Sequence, residues 1–378
     1  MVDPAPIGVY VHVPFCATRC SYCDFAIVTG HDERVAEYVA AVGAEIAEFA
    51  GRHGRRGADS VYLGGGTPSR VPPAELGRLM EHVQRGFAVE PGAEVSLEAN
   101  PEDVTPDALA AWRGLGFERV TIGVQTLSEE GHRALGRPGS PAESLRAVAD
   151  ALAAGFPRVG IDLIFGWPGQ TLAGWLEEVG RAAALGAGHL SCYALETTSR
   201  TALVRRVERG ALPAPDPDLA ADMYEAAVTV LQDTGLRRYE ISNFARAGEE
   251  SRHNLKYWTD GDYVGFGPAA ASYVGGERWV RPRRFSEYLA APPDRAGVDV
   301  EPYDADVRAG EAMMFGLRLA TGVDLARIAA RHGDESVQRR EPALARAAAA
   351  GLLERTGTRA RLTDRGLLVA DELFVDLL

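Results

Sequence analysis

Lysine is almost absent: Lys256 is the single lysine among 40 basic residues. Any lysine-dependent chemistry, such as a Schiff base, therefore has one candidate. Long apolar runs are missing as well. No stretch reaches the roughly 18 apolar residues of a membrane span, so no transmembrane helix is expected. The opening MVDPAPIGVYVHVPF carries no basic n-region and no small-residue cleavage site, which argues against a secretory signal. Positive charge is not in excess. With 53 acidic residues the net charge is −13, which argues against a broad nucleic-acid or anionic-membrane surface, though not against a local basic groove. Cysteine is scarce, and three of the four (Cys16, Cys20, Cys23) fall within eight residues; Cys192 stands apart. In a cytoplasmic setting, which we expect here, such clustering favours a metal over disulfides.

What is present suits a folded protein. The chain has 378 residues, 46% of them hydrophobic and 25% charged, enough apolar material for a core. The first two-thirds alternates strand-like and helix-like segments. Strands are expected at 7–13, 60–63, 94–98, 119–124, 160–165 and 189–195. Helices are expected near 33–50, 74–86, 106–114, 142–154, 172–185 and 216–234. Six such units imply a parallel sheet with right-handed crossovers, an α/β fold of the partial (β/α)6, TIM-like barrel kind. Several expected strand ends carry small or polar residues (GGGTP, EANP, GVQ, FGWPGQ). Ligand sites of parallel barrels lie at those ends.

The pattern changes after residue 243. Residues 244–302 are rich in Gly and aromatics, hairpin-like, and punctuated by Pro282, Pro292, Pro293 and Pro302. We read them as a connecting segment between a barrel over 1–243 and a small domain over 303–378. In that domain helices are expected at 306–320, 324–332 and 338–350, followed by a hairpin and a last helix, a winged-helix-like order. Eleven Arg against thirteen acidic residues in 301–378 favour a structural or lid role over DNA binding.

Cys16-Ala-Thr-Arg-Cys20-Ser-Tyr-Cys23 follows the first expected strand with the spacing C-x3-C-x2-C. A tetrahedral zinc site wants four ligands, and no fourth Cys or His follows at finger spacing; His31 is the nearest. A [4Fe–4S] cube normally takes four thiolates, so three leave one iron open to a small chelator. The motif, with an aromatic residue before its last Cys, resembles the radical S-adenosylmethionine (SAM) superfamily. The resemblance implies that the open iron holds the methionine part of SAM and that the cluster delivers the electron that splits it. Cys192, inside HLSCYAL, reads as a buried small hydrophobe.

The same resemblance places the SAM contacts. Gly64-Gly65-Gly66-Thr67 matches the glycine-rich turn that receives the SAM amino group. Glu98, Gln125, Arg137 and Asp162 match the family's polar strand-end positions, and Ala194 joins them. Tyr10 and Tyr22 are expected beside the cluster. Gly65→Val is expected to block SAM by filling space that glycine leaves.

PFCATRCSYCDF, LGGGTPS, SLEANPE, TIGVQ, DLIFGWPGQ and LTDRGLLVADEL together resemble relatives of the oxygen-independent coproporphyrinogen III oxidase (HemN) across nearly the whole chain. True oxidases carry a fourth cysteine two residues after the third. Here that position is Phe25, and fifteen residues precede Cys16 where the oxidases have a longer segment. Both departures point to the heme-chaperone branch. His253-Asn254-Leu-Lys-Tyr257-Trp258 resembles that branch's H-N-x-x-Y-W heme motif. The resemblance implies heme contact there, with His253 a candidate axial ligand and the segment folded across the barrel mouth. The other histidines show no constellation.

Three functions remain open at this point. They are a heme chaperone serving an unidentified acceptor protein, a coproporphyrinogen III oxidase, and a radical-SAM enzyme on another tetrapyrrole. The resemblance also implies an electron donor, and any membrane contact would come through the acceptor. No nucleic-acid partner is expected.

Overall fold

The computed structural model describes residues 5–197, 201–291, 293–294, 300–302 and 304–378, without the side chains of 301 and 302. Pro292 and Tyr303, the expected start of the C-terminal domain, lie outside the described residues. Six parallel strands form the centre: β1 (Ile7–Val13), β2 (Gly57–Gly65), β3 (Ala88–Ala99), β4 (Arg119–Gln125), β5 (Arg158–Phe165) and β6 (His189–Ala194). They read as near-continuous apolar runs because both faces are covered. β1 and β4 have almost no accessible side chains.

Helices cover the outer face: α1 (Val35–His53), α2 (Pro73–Gly86), α3 (Pro106–Gly114), α4 (Glu129–Leu135), α5 (Pro141–Ala153), α6 (Leu172–Ala184), α7 (Ala202–Glu208) and α8 (Pro217–Asp233). Their starts follow local chemistry. Thr105, Ser140 and Asp216 each cap a helix whose first residue is proline, and Thr171 caps α6. Each such cap contributes about 1 kcal/mol. α4 and α7, of seven residues each, were not expected from the sequence; side-chain caps from Ser128 and Thr201 start them.

The sheet does not close on itself. On one side β6 pairs antiparallel with β8 (Asn243–Ala245), which carries β7 (Arg237–Arg238). On the other, β1 pairs in parallel with β9 (Tyr263–Phe266), followed by β10 (Ala271–Val274), β11 (Glu277–Val280) and β12 (Val300–Pro302). Much of segment 244–302 therefore extends the main sheet. The hairpin-like stretch forms β10 and β11, and ahead of it lies a helix that was not expected, α9 (Arg252–Trp258).

α9 seals the base of the barrel. At the strand starts Arg119 and Glu94 form a buried ion pair at 2.9 Å. Arg119 also donates to the Glu249 and Glu250 carbonyls, and Glu94 accepts from the Arg252 N–H. These bonds engage the Arg119 Nε and Nη2 and both Glu94 oxygens, and tie the chain before α9 to the barrel floor. Lys256 continues the seal, donating to the Pro6 carbonyl and pairing with Asp59 at 2.9 Å.

The C-terminal residues build a second core around Met313, Leu317, Leu344, Leu362 and Phe374. The short α10 (Phe285–Ala290) before it packs Phe285 and Tyr288 into the barrel core, and the helices of the second core are α11 (Ala305–Leu317), α12 (Leu325–His332) and α13 (Asp334–Ala349). A hairpin of Leu353–Thr356 with Arg359–Leu362 and two short helices, Asp364–Leu368 and Ala370–Leu377, complete it. This is the expected winged-helix-like order. Arg278 grips Glu311 with two bonds of 2.9 Å, and Asp260 pairs with His332, joining this core to the barrel side.

Candidate functional site

The strand ends opposite α9 open into a cavity of about 580 Å³. Cys16, Cys20, Tyr22, Cys23, Gly65, Gly66, Thr67, Glu98, Gln125, Arg137, Asp162 and Ala194 all line it, drawn from the ends of five strands (β2 to β6), the cysteine loop and the turn after α4. The loop is braced from two sides. Ser21 bonds the Leu135 carbonyl at the end of α4, and the Leu203 N–H of α7 donates to Ser21. The two unexpected helices thus hold the cysteines in place. Arg19 adds bonds to the carbonyls of Cys23, Phe25 and Ile27.

Each thiol has a different neighbour. The Cys16 sulfur lies 3.3 Å from the Thr67 hydroxyl; burial pushes its pKa up to about 11, and that hydroxyl opposes the shift. Cys23 is also raised by burial, opposed by the Phe25 N–H, which donates to it at 3.4 Å. Arg137 donates to the Cys20 sulfur at 3.7 Å. Arg137 is itself fixed by the Asn100 side chain and the Gly123 carbonyl. Among the described residues no three His, Cys, Asp or Glu side chains converge as ligands of a single metal ion. Three thiols around one shared cavity suit a larger, multi-iron group.

The polar strand ends are organised toward the same space. Glu98 accepts from the Tyr62 hydroxyl at 2.7 Å and the Gly65 N–H at 2.9 Å. Burial raises its pKa, and these two bonds oppose the rise. Gln125 has φ of 68° at a break in the β4–β5 register, a strained backbone for a non-glycine residue. That irregularity ends the strand where Gln125 meets the cavity. Asp162 Oδ1 is buried with no partner among the described residues. An acceptor left bare at a cavity wall fits a ligand that brings hydroxyl or ammonium donors. The thiols, the Arg137 cation and this bare acceptor together fit a [4Fe–4S] cube with SAM beside it.

Asp162 also supplies a pH test. Burial, first, and the nearby Glu98 charge raise its pKa to about 7, while a bond from Ser191 opposes them. In the unfolded chain the group ionises near 3.9. The folded state therefore binds the proton more tightly, and stability falls as pH rises from about 4 to about 7. Asp162→Asn removes that cost. Without ligands the variant should be more stable than the parent at pH 8, by up to about 4 kcal/mol, with the gap closing toward pH 4. Its SAM affinity should fall. A pH-independent gap in melting temperature would overturn this account.

Three expectations need correction. Tyr10 does not reach the cysteines or line the cavity. It lies inside the barrel below it, bonded to His12 Nδ1 at 3.0 Å and stacked on Tyr62 and His253. The space beside Gly65 belongs to protein, not ligand: a Cβ there would come within 2.5 Å of the His12 ring, at a φ of 111°. A larger residue would displace His12, which bonds the Ala26 carbonyl just past the cysteines, so Gly65→Val damages the loop as well as the pocket. Third, His253 is not at the mouth. It is 1% exposed in the barrel floor, its Nδ1 bonded to Ser60 at 3.1 Å and its Nε2 to Tyr257 at 2.9 Å. The Asn254 N–H donates to the Ser251 hydroxyl that caps α9, and Trp258 packs toward Phe315 of the C-terminal core.

Some site residues escaped the sequence reading. Asn100 links Thr67, Glu102 and Arg137, and its signal was present in EANP. His12 has the constellation it seemed to lack. Tyr193 and Arg283 line the cavity without any motif to mark them.

Residues 10–181 match the Radical SAM superfamily, and 303–369 match the HemN C-terminal domain. The protein named heme chaperone HemW of Mycobacterium tuberculosis is 40% identical over 380 residues, covering 99% of this chain and 95% of that one. The chain belongs to the HemW family. Its Bacillus subtilis relative of the same name is 32% identical over 370 residues, covering 97% of each. The fold of this HemW-family chain is shared with a solved structure described as the coproporphyrinogen III oxidase HemN of Escherichia coli, a radical SAM enzyme. The TM-score is 0.86 at 23% identity, covering 98% of this chain and 90% of that one. Superfamily membership implies an iron–sulfur cluster and SAM. Among the described residues no helix is long and apolar enough to cross a membrane.

Proposed function

We propose that this protein is a heme chaperone that binds heme and passes it to an acceptor protein. In this reading Cys16, Cys20 and Cys23 hold a [4Fe–4S] cluster, and SAM sits against Glu98, Gln125, Arg137 and Asp162. The observation that carries the radical-SAM half is the convergence of three thiols, a cation and a bare carboxylate oxygen on one cavity. The near full-length similarity to proteins named heme chaperones carries the other half. When bound, the cluster supplies the electron for reducing SAM.

The chain's own residues have defined tasks. Arg137 offsets thiolate charge at Cys20 and fixes Asn100. Glu98, held by Tyr62 and Gly65, accepts from the ligand. Burial of the strand ends keeps bulk water from these groups. The setting proposed is the cytoplasm, where thiols stay reduced, with an electron donor to the cluster and membrane contact made through the acceptor. The test is to titrate heme into cluster-loaded protein and then to add a heme-free acceptor. Heme uptake followed by transfer is the expected result. Conversion of coproporphyrinogen III in the presence of SAM and reductant would instead establish the oxidase.

A further inference from the structure

The cavity of about 580 Å³ is the size of site that encloses one medium-sized organic ligand. A cluster with SAM would take up this space and leave a porphyrin the opening above it. Two large side chains stand exposed there: Phe25 at 63% and Tyr193 at 39%, both lining the cavity. Other large hydrophobic side chains exposed among the described residues, such as Val280 and Val375, do not line it. Exposed aromatics at a cavity rim are an unmet binding surface. Phe25 is also held in place. Its N–H donates to Cys23, and its carbonyl accepts from Arg19 at 3.4 Å.

Charge complements the ring surface. Arg283 lines the same cavity with its side chain 58% exposed. It pairs with Asp24 at 3.3 Å, and its five donors leave room for a second carboxylate. A flat apolar face beside a cation matches a planar macrocycle with carboxylate arms. No histidine lines this cavity.

We propose that heme lies across the cavity opening, stacked on Phe25 and Tyr193, with a propionate on Arg283. This rests on the heme-chaperone reading. It puts the macrocycle beside the cluster loop, at the end of the barrel opposite His253.

The experiment is a heme titration followed by absorbance on cluster-loaded, full-length protein, with iron content measured in every variant. Phe25→Ala should weaken heme binding about tenfold, and Tyr193→Ala by a similar factor. Phe25→Leu, which keeps bulk without a flat face, should also weaken it; Phe25→Trp should not. Arg283→Ala should cost roughly threefold toward heme and nothing toward heme dimethyl ester, which lacks the carboxylates. If the parent binds heme and the Phe25 and Tyr193 variants match it, this placement is wrong while the chaperone reading stands. If the parent binds no heme, both fall.

Discussion

Replacing Cys16, Cys20 or Cys23 with alanine is expected to remove most of the bound iron and the brown absorbance of the reconstituted protein. The three thiols line one cavity from a loop of eight residues, and each is held differently. Cys16 ends a short strand, Phe15–Cys16, that pairs with Val28–Thr29 and fixes the entry to the loop. Cys20 faces Arg137, and Cys23 receives the Phe25 N–H. A cube that already lacks a fourth protein thiolate has none to spare. Loss of one ligand should therefore lower iron content by about tenfold or more, the scale on which a single tight ligand bond counts. The fold should survive, because the loop is braced by Ser21, Arg19 and the end of α4 and not by the thiols. Cys192→Ser is the control. That residue is buried in β6, and its hydroxyl would cost about 1–3 kcal/mol of stability while leaving the iron in place. Full iron retention in all three alanine variants would falsify the assignment.

The sequence was most legible where one local signal dominates. β1 and β4 begin where expected because buried parallel strands read as apolar runs. β3 is more than twice as long as its apolar stretch suggested, since Pro91-Gly92 looks like a turn yet lies within the strand. The Thr-Pro, Ser-Pro and Asp-Pro pairs marked α3, α5 and α8 directly. α4, α7 and α9 were illegible for a shared reason. Two turns of helix are marginal on their own, and tertiary contacts hold these three. The site followed the same division. Motif residues at strand ends could be read, whereas Arg283 reaches the cavity from 260 positions beyond Cys23. The height of α9 along the barrel depended on a buried Arg119–Glu94 pair that no local pattern announces.

That placement leads to a different expectation for His253. His253→Ala should destabilise the protein even with no heme present. The ring is buried, bonds Ser60 and Tyr257 through its two nitrogens, and stacks on Tyr62 at 5.3 Å and Tyr10 at 6.1 Å. Alanine leaves a hole and strands two hydroxyls, a combined loss of about 3–5 kcal/mol. Ser60→Ala should cost less, about 1–3 kcal/mol, because one ring nitrogen alone loses its partner. The pH dependence adds an independent readout. Burial, with the Lys256 charge second, pushes the His253 pKa down to about 3, so the folded ring stays neutral. The unfolded chain takes up a proton near pH 6.5, and stability contributed by the neutral ring is lost as pH falls from about 6.5 toward 3. The alanine variant should show a shallower acid limb in its stability profile than the parent. An axial ligand to heme iron would behave otherwise, leaving heme-free stability nearly unchanged and altering the heme spectrum. Thermal and urea unfolding of the heme-free variant, beside its heme spectrum, separates the two roles. Parental stability with an altered spectrum would return His253 to the heme.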